Sequence, residues 1–259
     1  HADAAARALD AGLDMEMCMY EPAFDSLPQA VAEGRVTESV LDSAVRRVLT
    51  AKFRLGLFEN PYADEANTTA AITAPENRAL ARSVAEASIV LLKNEDAALP
   101  LDASTVGRIA VIGQLADSKR DLLGPWVFDH DTSETVTIVD GLRTALGSGG
   151  VSFEPGAGIP ERIYPSMFDV MDTTVERTPE DYDDDAAIER AVALAEVSDV
   201  TIVVVGQRQN QIGEKSSTST LDLPGRQLEQ LQRIKAPGTK VILVVVSGRP
   251  LDLRWADEN

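Results

Sequence analysis

Short runs of consecutive apolar residues alternate with longer amphipathic segments through most of the chain. The runs predict buried strands at 88–92, 109–113, 200–205 and 240–246. Apolar residues at helical spacing between them predict helices at 76–87, 137–146, 183–198 and from Pro224 onward. Helices that alternate with wholly apolar strands are typical of a largely parallel sheet covered on both faces. The pattern therefore predicts an α/β sandwich over residues 76–259.

The first 57 residues follow a different pattern. Helices are predicted at 3–10, at 26–33 and from Thr37 to Gly56, with a short alternating strand at 13–19. The methionines in that strand are interpreted as core filling, and a place in a ligand pocket is the sharper alternative. So small a piece is expected to bury its apolar faces against further structure. Residues 58–75 contain Asn-Pro and Ala-Pro pairs without sustained periodicity, which predicts a linker.

The segment from Gln207 to Gln227 joins a predicted buried strand to a predicted helix. It therefore leaves the carboxyl end of a parallel strand, where open α/β sheets bind their ligands. Its centre, Gly213-Glu-Lys-Ser-Ser217, places one carboxylate among small hydroxyl residues. Glu214 is interpreted either as a general acid/base carried on a loop or as an ordinary solvated glutamate. The loop by itself favours the second alternative.

Composition narrows the classes of ligand and site. The net charge is −18 with a pI near 4.5, which argues against nucleic-acid and anionic-membrane partners. No apolar run approaches the roughly 20 residues that cross a bilayer. One cysteine, Cys18, excludes an internal disulfide and is interpreted as a buried, inert thiol. Two histidines, His1 and His130, give little material for a metal site, and no phosphate-binding motif indicates a nucleotide cofactor.

Several sequence blocks together carry a family resemblance: Ala11-Gly-Leu-Asp-Met-Glu-Met17, Leu91-Leu-Lys-Asn94, Ala116-Asp-Ser-Lys-Arg-Asp121, the Gly213-Glu214 loop and Ser247-Gly-Arg-Pro-Leu251. The Leu91-Leu-Lys-Asn94 block and the Gly213-Glu214 loop are specific in combination. With these blocks the chain resembles glycoside hydrolase family 3 β-glucosidases of the bacterial periplasmic type, and the resemblance covers essentially the whole chain. The family combines a (β/α)8-type barrel with an α/β sandwich. The resemblance implies that residues 1–57 end the barrel, 58–75 link the domains, and 76–259 form a sandwich that is incomplete at its carboxyl end.

The resemblance also implies a chemistry. Family members are retaining glycosidases, which use a carboxylate nucleophile and a carboxyl acid/base about 5 Å apart. Glu214 matches the family acid/base, Ser216 and Ser217 are expected to position the loop or touch the sugar, and Met17 is expected to line the pocket. Thr218 replaces an arginine that is often found after the two serines. The aspartate nucleophile of a Ser-Asp-Trp motif lies outside residues 1–259, so we expect an internal piece of a longer enzyme.

The expected ligand is a small carbohydrate, such as a glucoside with a terminal β-linked sugar. The expected partner is the remaining barrel portion of the same enzyme. No metal, cofactor, nucleic acid or membrane is expected to bind. A homodimer stays open, and a periplasmic or secreted location follows from the resemblance alone. The alternative function is a carbohydrate-binding or interaction module that has lost catalysis on the same fold.

Overall fold

A computed structural model describes residues 1–127, 131–162 and 176–259 of the chain. His130 therefore lies outside the described residues. The chain forms two compact units, His1–Val90 and Leu91–Asn259. The predicted boundaries at 57 and 75 both fall within the first unit, and they stay a prediction.

The second unit contains a four-stranded parallel sheet with helices around it. Its strands are β1 (Ile109–Ile112), β2 (Val151–Glu154), β3 (Val200–Gly206) and β4 (Val241–Val246). The strand order is β2-β1-β3-β4, and every neighbouring pair is parallel. This architecture confirms the predicted α/β class with a parallel sheet.

Nine α-helices complete the regular elements of the described residues. In the first unit they are α1 (Ala2–Asp10), α2 (Leu27–Ala32), α3 (Glu38–Arg54), α4 (Glu65–Thr73) and α5 (Pro75–Ser88). In the second unit they are α6 (Ile138–Leu146), α7 (Asp184–Glu196), α8 (Gln227–Lys235) and α9 (Arg254–Glu258).

The sheet buries both of its faces, which explains the continuous apolar runs. Successive side chains of β1 and β3 point to opposite faces. Val203 and Val205 pack on one face with residues of α7 and α8 such as Ala191 and Ile234. Ile202 and Val204 pack on the other face with Val139 of α6 and other apolar residues. All seven residues of β3 are buried, so this central strand gives the loop at its carboxyl end a fixed starting point.

The first unit has a small helical core of its own. Ala5 and Leu9 of α1 pack with Ala30 of α2 and Ala44 of α3. Val45 and Leu49 also lie on α3, but they remain exposed. A bidentate ion pair joins the second half of α3 to the Gly-Leu-Asp-Met segment, with Arg47 Nη2 2.6 Å from Asp14 Oδ1. Its hydrogen bonds lower the pKa of Asp14 below 3.8.

Two predicted strands are not strands in the structure. Ser88 ends α5, and residues 89–92 form neither helix nor strand, with Ile89 79% exposed. Residues 13–19 likewise have no strand assignment. A strand is stable only when neighbouring strands pair with it, and the sheet of the described residues includes neither segment. An apolar run is therefore not sufficient to predict a strand.

Exposure also corrects the interpretation of the sulfur-containing residues at 15–19. Met15, Met17 and Met19 are exposed, so the core-filling interpretation is wrong for the described chain. Cys18 is exposed rather than buried, and its thiol donates a 2.6 Å hydrogen bond to the Tyr20 carbonyl. The alternating pattern predicts one buried face, but no described element of the first unit covers it.

Helix α4 and strand β2 were not predicted. Helix α4 begins after Asp64, whose carboxylate accepts a hydrogen bond from the Ala66 amide and caps the helix. Strand β2 has only four residues, and polar Ser152 and Glu154 interrupt its apolar character.

Among the helices of the described ranges, none is both long and apolar enough to cross a membrane.

Candidate active site

The candidate active-site loop, residues 207–226, leaves the carboxyl end of β3. Gly206 ends this strand at a φ of +138°, and a Cβ there would lie 1.9 Å from the Val246 carbonyl oxygen. A side chain at position 206 would therefore push the ends of β3 and β4 apart. The loop begins at the carboxyl edge of the sheet, which is the edge that binds ligands in open parallel sheets.

Glu214 is exposed at a tight turn of this loop. Its neighbours Gly213 and Lys215 both have left-handed backbones, with φ of +97° and +58°. A Cβ on Gly213 would lie only 2.6 Å from Pro125 Cβ, so the turn packs against the segment that follows β1. No described residue forms a hydrogen bond or an ion pair with the Glu214 carboxylate. Both of its oxygens can therefore contact a ligand.

A buried ion pair lies beneath the start of the loop. Arg208 Nη1 donates a 2.8 Å hydrogen bond to Asp121 Oδ2, and the two side chains are 5% and 2% exposed. The other oxygen of Asp121 accepts a 2.8 Å hydrogen bond from the Gln209 amide. The Asp121 amide itself donates to Ser118 Oγ at 3.0 Å. Asp121 thus joins the loop after β1 to the loop after β3.

The Arg208 guanidinium reaches a third segment as well. Its Nη2 donates to Gln114 Oε1 and to Thr178 Oγ1, the latter at 3.3 Å. Thr178 also donates to the Ile159 carbonyl at 2.9 Å. The Arg208 Nε atom is buried and has no hydrogen-bond partner among the described residues. One arginine thereby connects the loops that follow β1, β2 and β3.

Gln209 extends this network toward the Pro125 contact. Its side-chain Oε1 accepts a 2.8 Å hydrogen bond from Arg120 Nε, and its side-chain Nε2 donates to the Gly124 carbonyl. Gly124 immediately precedes the proline that packs against Gly213. The base of the Glu214 turn is therefore held by both backbone packing and buried polar contacts.

The two serines of the predicted motif occupy different environments. Ser216 is buried, whereas Ser217 is exposed. Ser216 Oγ accepts a 3.2 Å hydrogen bond from Arg162 Nη1 and donates weakly to the Asn210 carbonyl at 3.4 Å. Burial lowers the pKa of Arg162 through desolvation. The contacts of Ser216 fit the loop-positioning alternative, and Ser217 remains available to a ligand.

Met17 belongs to the first unit, where its side chain is fully exposed. Glu214, Ser216 and Ser217 belong to the second unit. Its expected contact with a sugar stays a prediction.

Four charged residues around the loop were not predicted as site residues: Asp121, Arg162, Arg208 and Arg249. Asp121 and Arg249 do stand in sequence blocks that carry the family resemblance. A usable signal was that Arg208 and Arg249 each follow closely on a wholly apolar strand. Their partners lie many residues away along the chain, so spacing alone could not identify the contacts.

A metal centre is not apparent in the parts of the chain that the structure describes. They contain no group of three or more histidine, cysteine, aspartate or glutamate residues that could hold an ion. The groups that the loop exposes include the Glu214 carboxylate, the Lys215 ammonium and the Ser217 hydroxyl.

Comparison with known proteins identifies related sequences and structures. Residues 89–259 match the Glycosyl hydrolase family 3 C-terminal domain, and residues 1–51 match the Glycosyl hydrolase family 3 N terminal domain. A periplasmic beta-glucosidase of Salmonella typhimurium is 36% identical over 99% of this chain and 34% of its own length. A beta-xylosidase of Formosa agariphila is 30% identical over 99% of this chain and 34% of its own length.

A solved structure agrees with these matches. The beta-glucosidase of Listeria innocua, solved as a mutant in complex with laminaribiose, matches with a TM-score of 0.74 and 28% identity. The match covers 99% of this chain and 32% of that one. The chain thus spans about a third of the length of the relatives it matches. Because the family match extends over residues 89–259, which is more than half of the chain, the chain belongs to glycosyl hydrolase family 3.

Proposed function

We propose that the full-length protein is a retaining β-glycosidase that releases a terminal β-linked glucose or a related sugar. Glu214 is its general acid/base in this proposal. The observation that carries it is an exposed carboxylate, without a partner among the described residues, on a turn whose base is packed and hydrogen-bonded. A general acid must reach the leaving-group oxygen, and it must do so in a fixed geometry.

The chemistry proceeds in two steps. Glu214 first protonates the leaving glycosidic oxygen while an aspartate outside residues 1–259 attacks the anomeric carbon. Glu214 then removes a proton from the water that hydrolyses the glycosyl-enzyme intermediate. The barrel portion of the same protein supplies the nucleophile and most of the sugar contacts. Met17 and Ser217 are proposed to contact the substrate, and Ser216 is proposed to hold the loop.

The names of the relatives support glucose as the first candidate for the released sugar and a pentose as the second. The Salmonella relative is named a beta-glucosidase, and the Listeria relative was solved with a glucose disaccharide, laminaribiose. The Formosa relative is named a beta-xylosidase, so phenyl β-glucoside and phenyl β-xyloside should be assayed in parallel. A periplasmic or secreted location is part of the proposal, and it rests on the name of the Salmonella relative.

The assay uses Glu214→Ala in the full-length protein with substrates of different leaving groups. A poor leaving group such as phenol needs the acid, so kcat/KM for its glycoside should fall by about 10²- to 10⁴-fold. A good leaving group such as dinitrophenol departs without a proton, so kcat/KM for its glycoside should change much less. Glu196→Ala, a second exposed glutamate of this unit, is the matched control. Unchanged kcat/KM on the phenyl glycoside would reject Glu214 as the acid.

The same experiment tests the alternative of a non-catalytic module. A wild-type full-length protein that binds glucosides and xylosides but hydrolyses neither would support that alternative. Hydrolysis that depends on Glu214 would exclude it.

A further inference from the structure

Arg249 bridges the two sides of the Glu214 turn. It follows β4, and its Nη1 donates to the Gln211 carbonyl at 2.8 Å and to Gln207 Oε1 at 3.0 Å. Its Nη2 donates to the Ser216 carbonyl. Gln211 precedes Glu214 by three residues, and Ser216 follows it by two. One guanidinium group therefore binds the backbone on both sides of Glu214.

Arg162, from the segment that follows β2, contacts the same turn separately. Its Nη1 donates to the Asn210 carbonyl at 2.7 Å and to Ser216 Oγ at 3.2 Å. Ser216 is thus held through its carbonyl by Arg249 and through its hydroxyl by Arg162. Since Ser216 is buried, these contacts form the inner wall of the turn rather than its ligand-facing side.

The chemistry of the contacts explains the use of arginine. Asn210 and Gln211 end a single 3-10 turn (Gln209–Gln211) and Ser216 lies in the irregular stretch after it, so no helix or sheet ladder continues to satisfy their carbonyls. A planar guanidinium presents several donors in a fixed fork, so it can satisfy two such carbonyls at a fixed separation. A lysine ammonium carries the same charge at one point and cannot span both carbonyls in that geometry.

We infer that Arg249, assisted by Arg162, is a positioning residue that fixes the Glu214 carboxylate relative to the glycosidic oxygen. The inference rests on the proposed function, in which Glu214 is the proton donor. Arg249 does not contact the substrate itself. It acts by keeping Gln211 and Ser216 at the separation that the turn requires.

The kinetic test compares Arg249→Lys and Arg249→Ala with wild type in the full-length protein. A displacement of a catalytic acid by about 1 Å lowers the reaction rate by up to about 100-fold. We therefore expect kcat/KM for phenyl β-glucoside to fall about 10- to 100-fold. On dinitrophenyl β-glucoside, where no proton is needed, the loss should stay below about threefold because only the acid step is affected. Equal losses on both substrates, or no loss on either, would overturn the inference. Arg190→Ala, which removes an exposed arginine paired with Glu154 at 3.4 Å, is the matched control.

A double variant tests whether Arg249 acts through Glu214. Once Glu214 is alanine, its position no longer matters, so adding Arg249→Ala should change kcat/KM for phenyl β-glucoside by less than about threefold. A further 10- to 100-fold loss on the Glu214→Ala background would show that Arg249 acts on catalysis by another route, and the inference would be wrong.

A measurement that does not depend on catalysis separates this inference from the proposed function. Trypsin cleaves after lysine, and Lys215 is exposed next to Glu214. Loss of the Arg249 contacts should raise the rate of cleavage after Lys215 about tenfold or more in both Arg249 variants, because the turn opens more often. Arg190→Ala should leave this rate unchanged. An unchanged rate in the Arg249 variants would refute the positioning role even if Glu214 proves to be the acid. A raised rate would show that Arg249 holds the turn, and the positioning role would then fail only if Glu214 proves not to be the acid.

Discussion

Replacing Asp121 by alanine should strongly destabilise the second unit. Asp121 and Arg208 are 2% and 5% exposed, and their 2.8 Å contact is surrounded by buried side chains. Removing one partner leaves the guanidinium charge buried without its counter-ion, which costs about 3–5 kcal/mol in such pairs. The variant also loses the 2.8 Å hydrogen bond from the Gln209 backbone amide. We add no separate free energy for it, because both contacts involve the Asp121 carboxylate and their costs are not additive.

Hydrogen exchange measured by mass spectrometry gives a local assay of this cost in the full-length protein. A loss of 3–5 kcal/mol corresponds to exchange about 10²- to 10³·⁵-fold faster at the most protected amides, since 1.4 kcal/mol is tenfold. Peptides from β1 and β3 report those amides. Asp121→Asn keeps the shape and one acceptor, so it should cause a smaller increase than Asp121→Ala.

The control for this prediction is an exposed ion pair in the same unit. Asp185 lies 2.7 Å from Arg226 and is 73% exposed, so Asp185→Ala should leave exchange in β1 and β3 close to wild type. Exchange in Asp121→Ala that stays within threefold of wild type would refute the reasoning, because a buried charge would then have lost its partner without consequence.

Two further predictions concern the turn and the end of the chain. Gly213→Ala should lower kcat/KM for phenyl β-glucoside at least tenfold, because a Cβ at φ +97° would lie 2.6 Å from Pro125 Cβ. Gly238→Ala is the comparison, because Gly238 also has a positive φ (+84°) but an added Cβ there meets nothing within 4 Å. Equal kinetics in the two variants would contradict the packing argument. Hydrogen bonds from Arg254 lower the pKa of Asp252 to about 2, so this contact stabilises the fold above pH 3.8 and the stabilisation is lost as pH falls through about 2. A carboxyl-carbon NMR titration should place the Asp252 midpoint near 2 in wild type and higher in Arg254→Ala, and an unmoved midpoint would contradict this cause.

The sheet was predictable because its strands are buried on both faces. The runs at β1, β3 and β4 carry almost no polar residue, and such runs have few alternatives in a domain that also contains amphipathic helices. The same criterion failed at 89–92 and missed β2. Strand formation depends on a neighbouring strand, which a local pattern does not report. Short β2 is a strand because β1 pairs with it, despite Ser152 and Glu154.

The candidate site was only partly predictable for the same physical reason. Glu214 became a candidate acid/base only through the family resemblance, because the loop by itself favoured an ordinary solvated glutamate. Many contacts that hold the turn join distant positions, which are 33 residues apart in the pair Arg249–Ser216 and 89 residues apart in the pair Arg120–Gln209. The position of Arg208 and Arg249 just after apolar strands marks them as candidates, but the local sequence does not identify their partners. Only the fold brings Asp121 to Arg208 and Arg249 to Ser216.

The most direct test of Glu214 as the acid/base is the product formed by Glu214→Ala in the presence of azide. Without the carboxylate, the glycosyl-enzyme formed from dinitrophenyl β-glucoside should accumulate, and azide can attack it without base assistance. The proposed mechanism predicts an azide-dependent rise in rate and a glucosyl azide of β configuration, identified by NMR of the product. Wild-type rates with glucose as the sole product, or an azide product of α configuration, would contradict it.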